Sequence, residues 1–587
     1  MGLLTSAVNN DRESVRAVAE AASEGHWIEL SARALMKPQL QEWESLSRLQ
    51  KVTFYAIRSQ SLNLAGLDEL DFVSIKSLRE VSKALNPIYF VERLGWSRKG
   101  HHETFLSLPP IYSEEVLEHV IERVFRVQEL LGRTLTIENT MGFVASKLNT
   151  IEEWDFLSEI CRVTGAECSL NLTYIWAQAK NFQKDAHELL THHMALGPKL
   201  LRVQGVLQQG DLFLPSSEHS LTPELFDFSE RALGLSPENV VIEVTPKLDA
   251  IKELKHKFQA LQLPKIPFGK QASGAPSDLS KSQESMRPHY IPIRDPENPS
   301  SGPLNYESYQ DQLLHRVTQM NGARPQILEC FVATSPLVPD VGLSIYNTQY
   351  FVQLRTYFRK QFPLLIAACA GGFDRVLVQY LSECPPESAD PLMVGQHLED
   401  FFRNQPQGLP LPGNILADIA CFEWAHLELA TAPLRGAAEP SALTELNDSL
   451  LKKVGLNFNG LSRLVEADFD VGKLWKNHLK GKPMEPGKIE KKYFLFYRLD
   501  EKVQHLMISR AEAKAYRYFG ERQPFAKVNE LMLSSKEGGV THGDQSLQML
   551  LEFAHRWMSL GIVEGLIFNH PQVVQLEDSP WDPGTSL

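Results

Sequence analysis

A chain of 587 residues is far larger than a stapled mini-scaffold, and at ~150 residues per domain it allows about four domains, or fewer if one is a barrel. Its 59 Lys+Arg against 72 Asp+Glu leave a net charge of −13, which argues against a surface that tracks nucleic acid or anionic lipid along its whole length. Hydrophobic residues at 43% with charged residues at 22% exclude a disordered chain.

The N-terminus lacks the basic n-region and apolar core of a signal peptide, and no later run reaches the ~20 apolar residues of a membrane span. Gly2 with Ser6 fits the loose myristoylation pattern, but residues 2–8 read better as a first strand. Cys161, Cys168, Cys330, Cys369, Cys384 and Cys421 form no C-x-x-C pair, and several lie in apolar runs where a thiol acts as a small hydrophobe. The simplest compartment is a reducing cytoplasm.

In chain order, residues 1–250 alternate β-rich runs with amphipathic stretches. Strands are predicted at Gly2–Ala7, His26–Ser31, Val52–Ile57, Ile88–Leu94, Thr134–Asn139, Glu167–Leu172, Leu200–Gln204 and Val240–Val244, with helices such as Ser113–Leu131 and Ile151–Val163 between them. Eight βα units in about 250 residues point to an α/β fold, a (β/α)8 TIM barrel, whose functional groups gather at the C-terminal strand ends. Those ends carry Glu29, Arg58, Arg93, Glu138, Asn171, Arg202 and Glu243. One such residue is ordinarily solvated, but seven at one end of an apolar barrel read as a functional mouth.

From Pro264 to Pro303 the composition turns to Pro, Ser, Gly and Lys without apolar period, which reads as a linker; about forty residues of coil would span roughly 35 Å. Beyond it, helices are predicted at Tyr306–Met320, Gly342–Ala370, Phe373–Cys384, Met393–Asn404 and Pro412–Ala432. After Ser449 come strands Lys492–Leu499 and Val503–Ser509, then helices Arg510–Gly520, Phe525–Leu533 and Gln545–Gly561. The expected domains are a barrel (1–257), a linker (258–305), a helical domain (306–435) and a small α+β domain (436–587). Lys476, Lys480, Lys482, Lys488, Lys491 and Lys492 form a basic run that lacks aromatic interleaving, so it reads as a solvated face and not as a nucleic-acid site.

Several ordered segments carry a resemblance: Val91-Glu92-Arg93-Leu94-Gly95-Trp96-Ser97, Leu106-Ser107-Leu108-Pro109, the helix Val124–Leu131, Gly132 through Asn139, and Val241-Ile242-Glu243. On these, residues 1–257 resemble the multinuclear non-haem iron-dependent oxidases that modify ribosomally made peptides, the methanobactin biosynthesis enzyme among them. The resemblance implies two or three iron ions held by histidines and carboxylates at the barrel mouth. Glu138 and Glu243 match family ligand positions, whereas three family histidines correspond to Arg58, Arg93 and Arg202, and the Asp-x-Asn-Asn segment to Asn171-Leu172-Thr173-Tyr174. Arginine stays protonated and offers only donors, so it does not ligate a metal.

The resulting reading is a metal-depleted, non-catalytic relative that binds a peptide or protein. Its mouth of Arg58, Arg93, Glu138, Asn171, Arg202 and Glu243 either takes an anionic group or closes on itself through ion pairs. No cofactor is expected. The alternatives are a divergent iron-dependent oxidase with fewer metals and a nucleic-acid-binding regulator. His101-His102 and His192-His193 are adjacent pairs expected on the surface, and His219 follows Leu212–Glu218, where the resemblance would place the family's Ile-Asp-Thr-His ligand segment. Residues 306–570 resemble the helical partner proteins of such oxidases, through Leu343–Asn347, Leu354–Phe358, Phe362-Pro363 and Ile419–Ala425. That implies docking of barrel and C-terminal module within one chain, with the linker raising their effective concentration.

Overall fold

The computed structural model describes residues 27–32, 54–59, 62–234, 239–243 and 305–568, the last with breaks at 320–324, 334–335, 389, 405–408, 433–434, 483–484, 486, 500–501 and 535–542. The predicted strand Gly2–Ala7 and the linker lie outside the described residues. Seven parallel strands form the barrel sheet: β1 (Trp27–Ser31), β2 (Phe54–Ser59), β3 (Phe90–Arg93), β6 (Thr136–Glu138), β7 (Glu167–Asn171), β8 (Leu200–Gln204) and β11 (Asn239–Glu243), in that order. Strands adjacent in this order along the chain and in space, each joined by a crossover, are the arrangement of a TIM barrel. Two antiparallel hairpins break the rhythm, β4 (Trp96–Lys99) with β5 (His102–Leu108) after β3, and β9 (Val206–Gln209) with β10 (Leu212–Pro215) after β8.

The helices of the barrel are α1 (Phe72–Leu85), α2 (Glu114–Leu131), α3 (Glu153–Thr164), α4 (Leu172–Asn181), α5 (Ala186–Met194) and α6 (Pro223–Gly234). Their sequence cues are local. In α2, Ser113 caps the first turn, Val116, Val120, Val124, Val127 and Leu131 make a buried stripe at three- and four-residue spacing, and Gly132 ends the helix at φ 69°. Inside the barrel, Ala56, Tyr89, Val91 and Leu200 form an apolar cluster below the C-terminal strand ends.

The described chain divides into two compact units, one of residues 1–360 with 372–397 and the other of 361–371 with 398–587. The helical segment after residue 305 therefore groups with the barrel, and the reason is specific contact. From α7 (Tyr306–Thr318), the Tyr306 hydroxyl and Gln310 amide donate to the Ala65 carbonyl at 2.6 and 2.9 Å. From α8 (Pro339–Gln361), the Tyr346 hydroxyl accepts from the Phe143 N–H at 2.9 Å and donates to the Met141 carbonyl at 3.3 Å. Gly342 is there because a Cβ would stand 1.9 Å from the Phe143 carbonyl oxygen. Ala65 follows β2 and Met141–Phe143 follows β6, so these helices lie on loops at the C-terminal ends of the strands.

The predicted helix Gly342–Ala370 is two helices, α8 and α9 (Pro363–Ala368), because Pro363 has no N–H to continue the first. After α10 (Phe373–Glu383), the predicted helix Met393–Asn404 is a 3₁₀ turn, Pro391–Gly395, followed by α11 (Leu398–Asn404).

The second unit holds α12 (Gly413–Thr431), β12 (Val454–Phe458), β13 (Ser462–Ala467), α13 (Val471–Leu479), β14 (Lys492–Leu499), β15 (Lys502–Ile508), α14 (Arg510–Gly520), α15 (Phe525–Ser534), α16 (Gly543–Ser559) and β16 (Val563–Phe568). Its sheets are β13-β14-β15 and β12-β16, both antiparallel, around a core that includes Leu495, Phe519, Phe525 and Trp557. Helix α12 is apolar over most of its surface, with Phe422 edge-on to Phe494 and Phe496. Among the described residues, no helix is long and apolar enough to cross a membrane.

Candidate functional site

Residues paired in register across a parallel sheet point to the same face. The pairs Ser31 with Arg58, Arg93 with Glu138, Glu138 with Ser169, and Asn171 with Arg202 therefore place these side chains in one lining. At its centre stands Glu138, fully buried. Its Oε1 accepts from Arg58 Nη2 and, at 3.3 Å, from Arg93 Nε, while its Oε2 accepts from Arg202 Nε at 2.5 Å. Arg202, itself fully buried, also donates through Nη2 to both oxygens of Glu29 at 2.9 and 2.6 Å.

These are charge-assisted bonds in a low-dielectric interior, where pairing must supply what water no longer does. Burial alone would raise the Glu138 carboxyl, but the guanidinium groups of Arg202, Arg58 and Arg93 outweigh it and hold it well below the usual carboxylate range. Glu29 goes the other way. Burial raises its carboxyl above the ordinary value, and the attraction of Arg202 and Arg58 does not fully offset that. The difference is one of donors, since Glu138 receives three guanidinium groups and Glu29 is hydrogen-bonded to one.

The sequence-derived set is thus largely brought together. Arg58, Arg93, Glu138 and Arg202 share one ion cluster, and Asn171 lies beside it at the start of α4. Glu243 ends β11 in register with Gln204, but its side chain lies outside the described residues. Glu29 belongs to the cluster, although as a strand-end charge it gave no sign of pairing with Arg202. Three further groups were missed. The Tyr174 ring lies under Arg93, 5.3 Å from its guanidinium carbon. Asn139 accepts the Asn171 N–H at 2.6 Å, and Asn171 in turn caps the Tyr174 N–H at 3.2 Å. Among the described residues the amide nitrogens of Asn139 and Asn171 and the Ser169 hydroxyl are buried without a hydrogen-bond partner. The available signal was sequence adjacency to Glu138 and Asn171.

The histidines do not join this lining. His101 is exposed in the turn of the β4–β5 hairpin, where His102 pairs with Lys99. His219 is exposed and bonded to Ser216 at 2.8 Å. The expectation of a surface pair fails for His193, which is buried and donates from Nδ1 to the Leu189 carbonyl at 2.7 Å. Neighbours on a helix lie ~100° apart, so one of the two turns inward while His192 stacks on Trp154. In the second unit, Lys491 pairs with Glu466 at 2.8 Å and Lys492 with Glu490 at 3.3 Å, so the basic run is partly neutralised.

A barrel whose C-terminal strand ends hold a buried carboxylate amid arginines can be set beside known proteins. Residues 8–263 match the family of the RiPP precursor modification enzyme MbnB/TglH/ChrH. The barrel segment therefore resembles the MbnB/TglH/ChrH enzymes, and residues 306–570 lie beyond the matched stretch. Relatives include a UPF0276 protein of Anaeromyxobacter sp., 27% identical over 28% of this chain and 58% of its own length, so the match spans less than two thirds of that relative. A UPF0276 protein of Vibrio parahaemolyticus is 24% identical over 37% of this chain and 77% of its own. Among solved structures, a xylose isomerase-like TIM barrel protein from Mycobacterium smegmatis is 10% identical at a TM-score of 0.32, covering 44% of this chain and 95% of its own. A D-tagatose 3-epimerase-like protein is 14% identical at a TM-score of 0.31, covering 45% and 98%.

The iron implied by the sequence resemblance to peptide-modifying oxidases does not fit the described donor set. Both oxygens of Glu138 are taken by guanidinium donors, and the three arginines hold positions from which no lone pair can reach a metal. Among the described residues no three His, Cys, Asp or Glu side chains converge as a metal site.

Proposed function

We propose that this chain is a metal-depleted relative of the MbnB/TglH/ChrH enzymes, working as a peptide- or protein-binding scaffold and not as an oxidase. The observation that carries the reading is the occupation of Glu138 by Arg58, Arg93 and Arg202 in place of a cation of higher charge. A fixed guanidinium cluster balances the buried carboxylates without redox chemistry, so the barrel keeps a polar mouth able to recognise but not to oxidise. The family description, modification of a RiPP precursor, favours a peptide as the partner. The helices packed on the loops after β2 and β6 give that peptide a second surface on the same chain. The cysteines have no disulfide partners, which supports a cytoplasmic setting.

The deciding experiment is metal analysis of the purified full chain after anaerobic exposure to excess ferrous iron and removal of loosely bound ions. Substoichiometric iron is the expected result. One or more tightly held iron ions per chain would overturn the reading in favour of a divergent oxidase.

A further inference from the structure

Strands β13 and β14 are antiparallel neighbours, and the connection between them carries helix α13. Its base is tied, since Ala467 pairs with Lys492 in the ladder and the Asp468 carbonyl accepts the Glu490 N–H at 2.7 Å. The Asp468 N–H is held as well, by the Asp418 carboxylate of α12 at 2.6 Å. A helix anchored in this way can leave the sheet without breaking a strand pair. Its nine residues are too few to stay helical alone, so packing decides whether it forms. That packing rests on Val471, Gly472 and Leu474, which are buried, while Lys473 and Lys476 are exposed.

Against α13 lies an aromatic nest with two imidazoles in it. Phe422 of α12 stands edge-on to Phe494, to Phe496 and to the His505 ring of β15, the last at 4.9 Å between ring centres. His426, one helical turn on from Phe422, stacks on Trp475 of α13. The backbone of α13 comes closer still to His505. A Cβ on Gly472 would stand 3.3 Å from the His505 Nε2 and 3.0 Å from the Phe494 ring, so glycine lets the helix sit this low.

The charges around the two rings are one-sided. Helix α13 brings Lys473, Lys476 and His478 and no acid of its own, with Asp470 as its N-cap. The acids of α12 are engaged elsewhere, Asp418 with the Asp468 N–H and Arg403, Glu423 with the N–H groups of Leu364 and Leu365, and Glu428 with Arg463. On the sheet face that holds His505, Lys492 pairs with Glu490, Arg463 with Glu428, and Arg498 donates to the carbonyl groups that end α12. Asp470 opposes this excess, but its carboxylate already accepts the Lys473 N–H at 2.8 Å. Burial, then the charges of Lys476 and His426, hold the His505 imidazole below its ordinary 6.5 against the pull of Asp470, and burial lowers His426 as well. The contribution of the two neutral rings is therefore full above 6.5 and is lost as pH falls below it.

We propose that α13 is a pH-sensitive flap: protonation of His505 and His426 releases it from β14 and β15 and uncovers the rings of Phe422 and Phe494. The device lies wholly in the second unit and does not depend on what the barrel mouth binds.

The test is amide hydrogen exchange of the full chain at about pH 7.5 and about pH 5.5, read by mass spectrometry and corrected for the intrinsic change in exchange rate. Protection over Val471–Leu479 is expected to fall about tenfold or more at the lower pH, since each unit by which docking lowers an imidazole is about tenfold in the docking equilibrium. Protection over Lys492–Leu499 should not fall. His426→Phe combined with His505→Phe keeps both rings and removes both protons, and it should abolish the loss. Lys476→Gln, at an exposed position, should shrink the loss, and it serves if the double variant folds poorly. Glu423 distinguishes a local release from a change in the whole unit, because its raised carboxyl favours the folded chain as pH falls, the opposite sense. Equal protection at the two pH values, a loss shared by β14, or a loss unchanged in the variants overturns the proposal.

Discussion

At Glu138 one buried carboxylate answers to three arginines, and its removal should be felt by all of them. Glu138→Gln removes the carboxylate that Arg58, Arg93 and Arg202 share, and breaking a buried ion pair from one side costs about 3–5 kcal/mol. Urea unfolding of the full chain should show that loss, whereas Arg93→Ala, with a single 3.3 Å bond and partial exposure, should cost about 1 kcal/mol or less. Because the Glu138 carboxyl is held low, its contribution is full above the ordinary carboxylate range and disappears only as pH falls below it. The three arginines and Glu138 were legible in the sequence because each ends an apolar strand run. The Glu29–Arg202 pair was not, since the two lie 173 positions apart and on strands that are not neighbours in the sheet.

Among the elements, α12 carries a buried acid, Glu423, whose described partners are backbone N–H groups. Glu423 accepts the N–H groups of Leu364 and Leu365 at 2.8 and 2.9 Å, yet burial outweighs these donors and pushes its carboxyl up to about 8. The folded chain then keeps a proton that the unfolded chain has lost above the ordinary value of 4.5, so stability falls as pH rises from about 4.5 to about 8. Denaturant midpoints across that range should show this slope, and Glu423→Gln should flatten it. Helix α8 offers a steric test. Gly342→Ala puts a Cβ against the Phe143 carbonyl, and the backbone shift should cost about 1–3 kcal/mol, read from the same midpoints. Seven barrel strands were readable from apolar runs, but the β4–β5 and β9–β10 hairpins were not. Their residues, such as Ser97-Arg98-Lys99 and Gln208-Gln209, show no apolar alternation, and they are strands through their antiparallel pairing with each other. Strands β12, β13 and β16 were missed likewise, since their pairing partners lie far along the chain.

For the whole molecule, the barrel should not be equivalent to the chain that ends before Tyr306. Removing residues 306–587 exposes Ala65, Met141 and Phe143, whose backbone groups are bonded to Tyr306, Gln310 and Tyr346. The truncated barrel should melt at a lower temperature than the full chain and bind a hydrophobic dye before it unfolds, whereas equal melting would show those contacts to be incidental. Sequence periodicity located these helices but not their allegiance, because a helix's apolar stripe does not say which surface it covers.

The strap 361–371 belongs to the second unit, while its flanks on both sides belong to the first. The polypeptide therefore passes between the units at 360/361, 371/372 and 397/398, and no single cut yields two whole pieces. Cleavage after residue 397 would leave Glu423 on one fragment and the N–H groups of Leu364 and Leu365 on the other. The two parts alternate along the chain, so a gene-level exchange of the second would have to carry residues 361–371 with it.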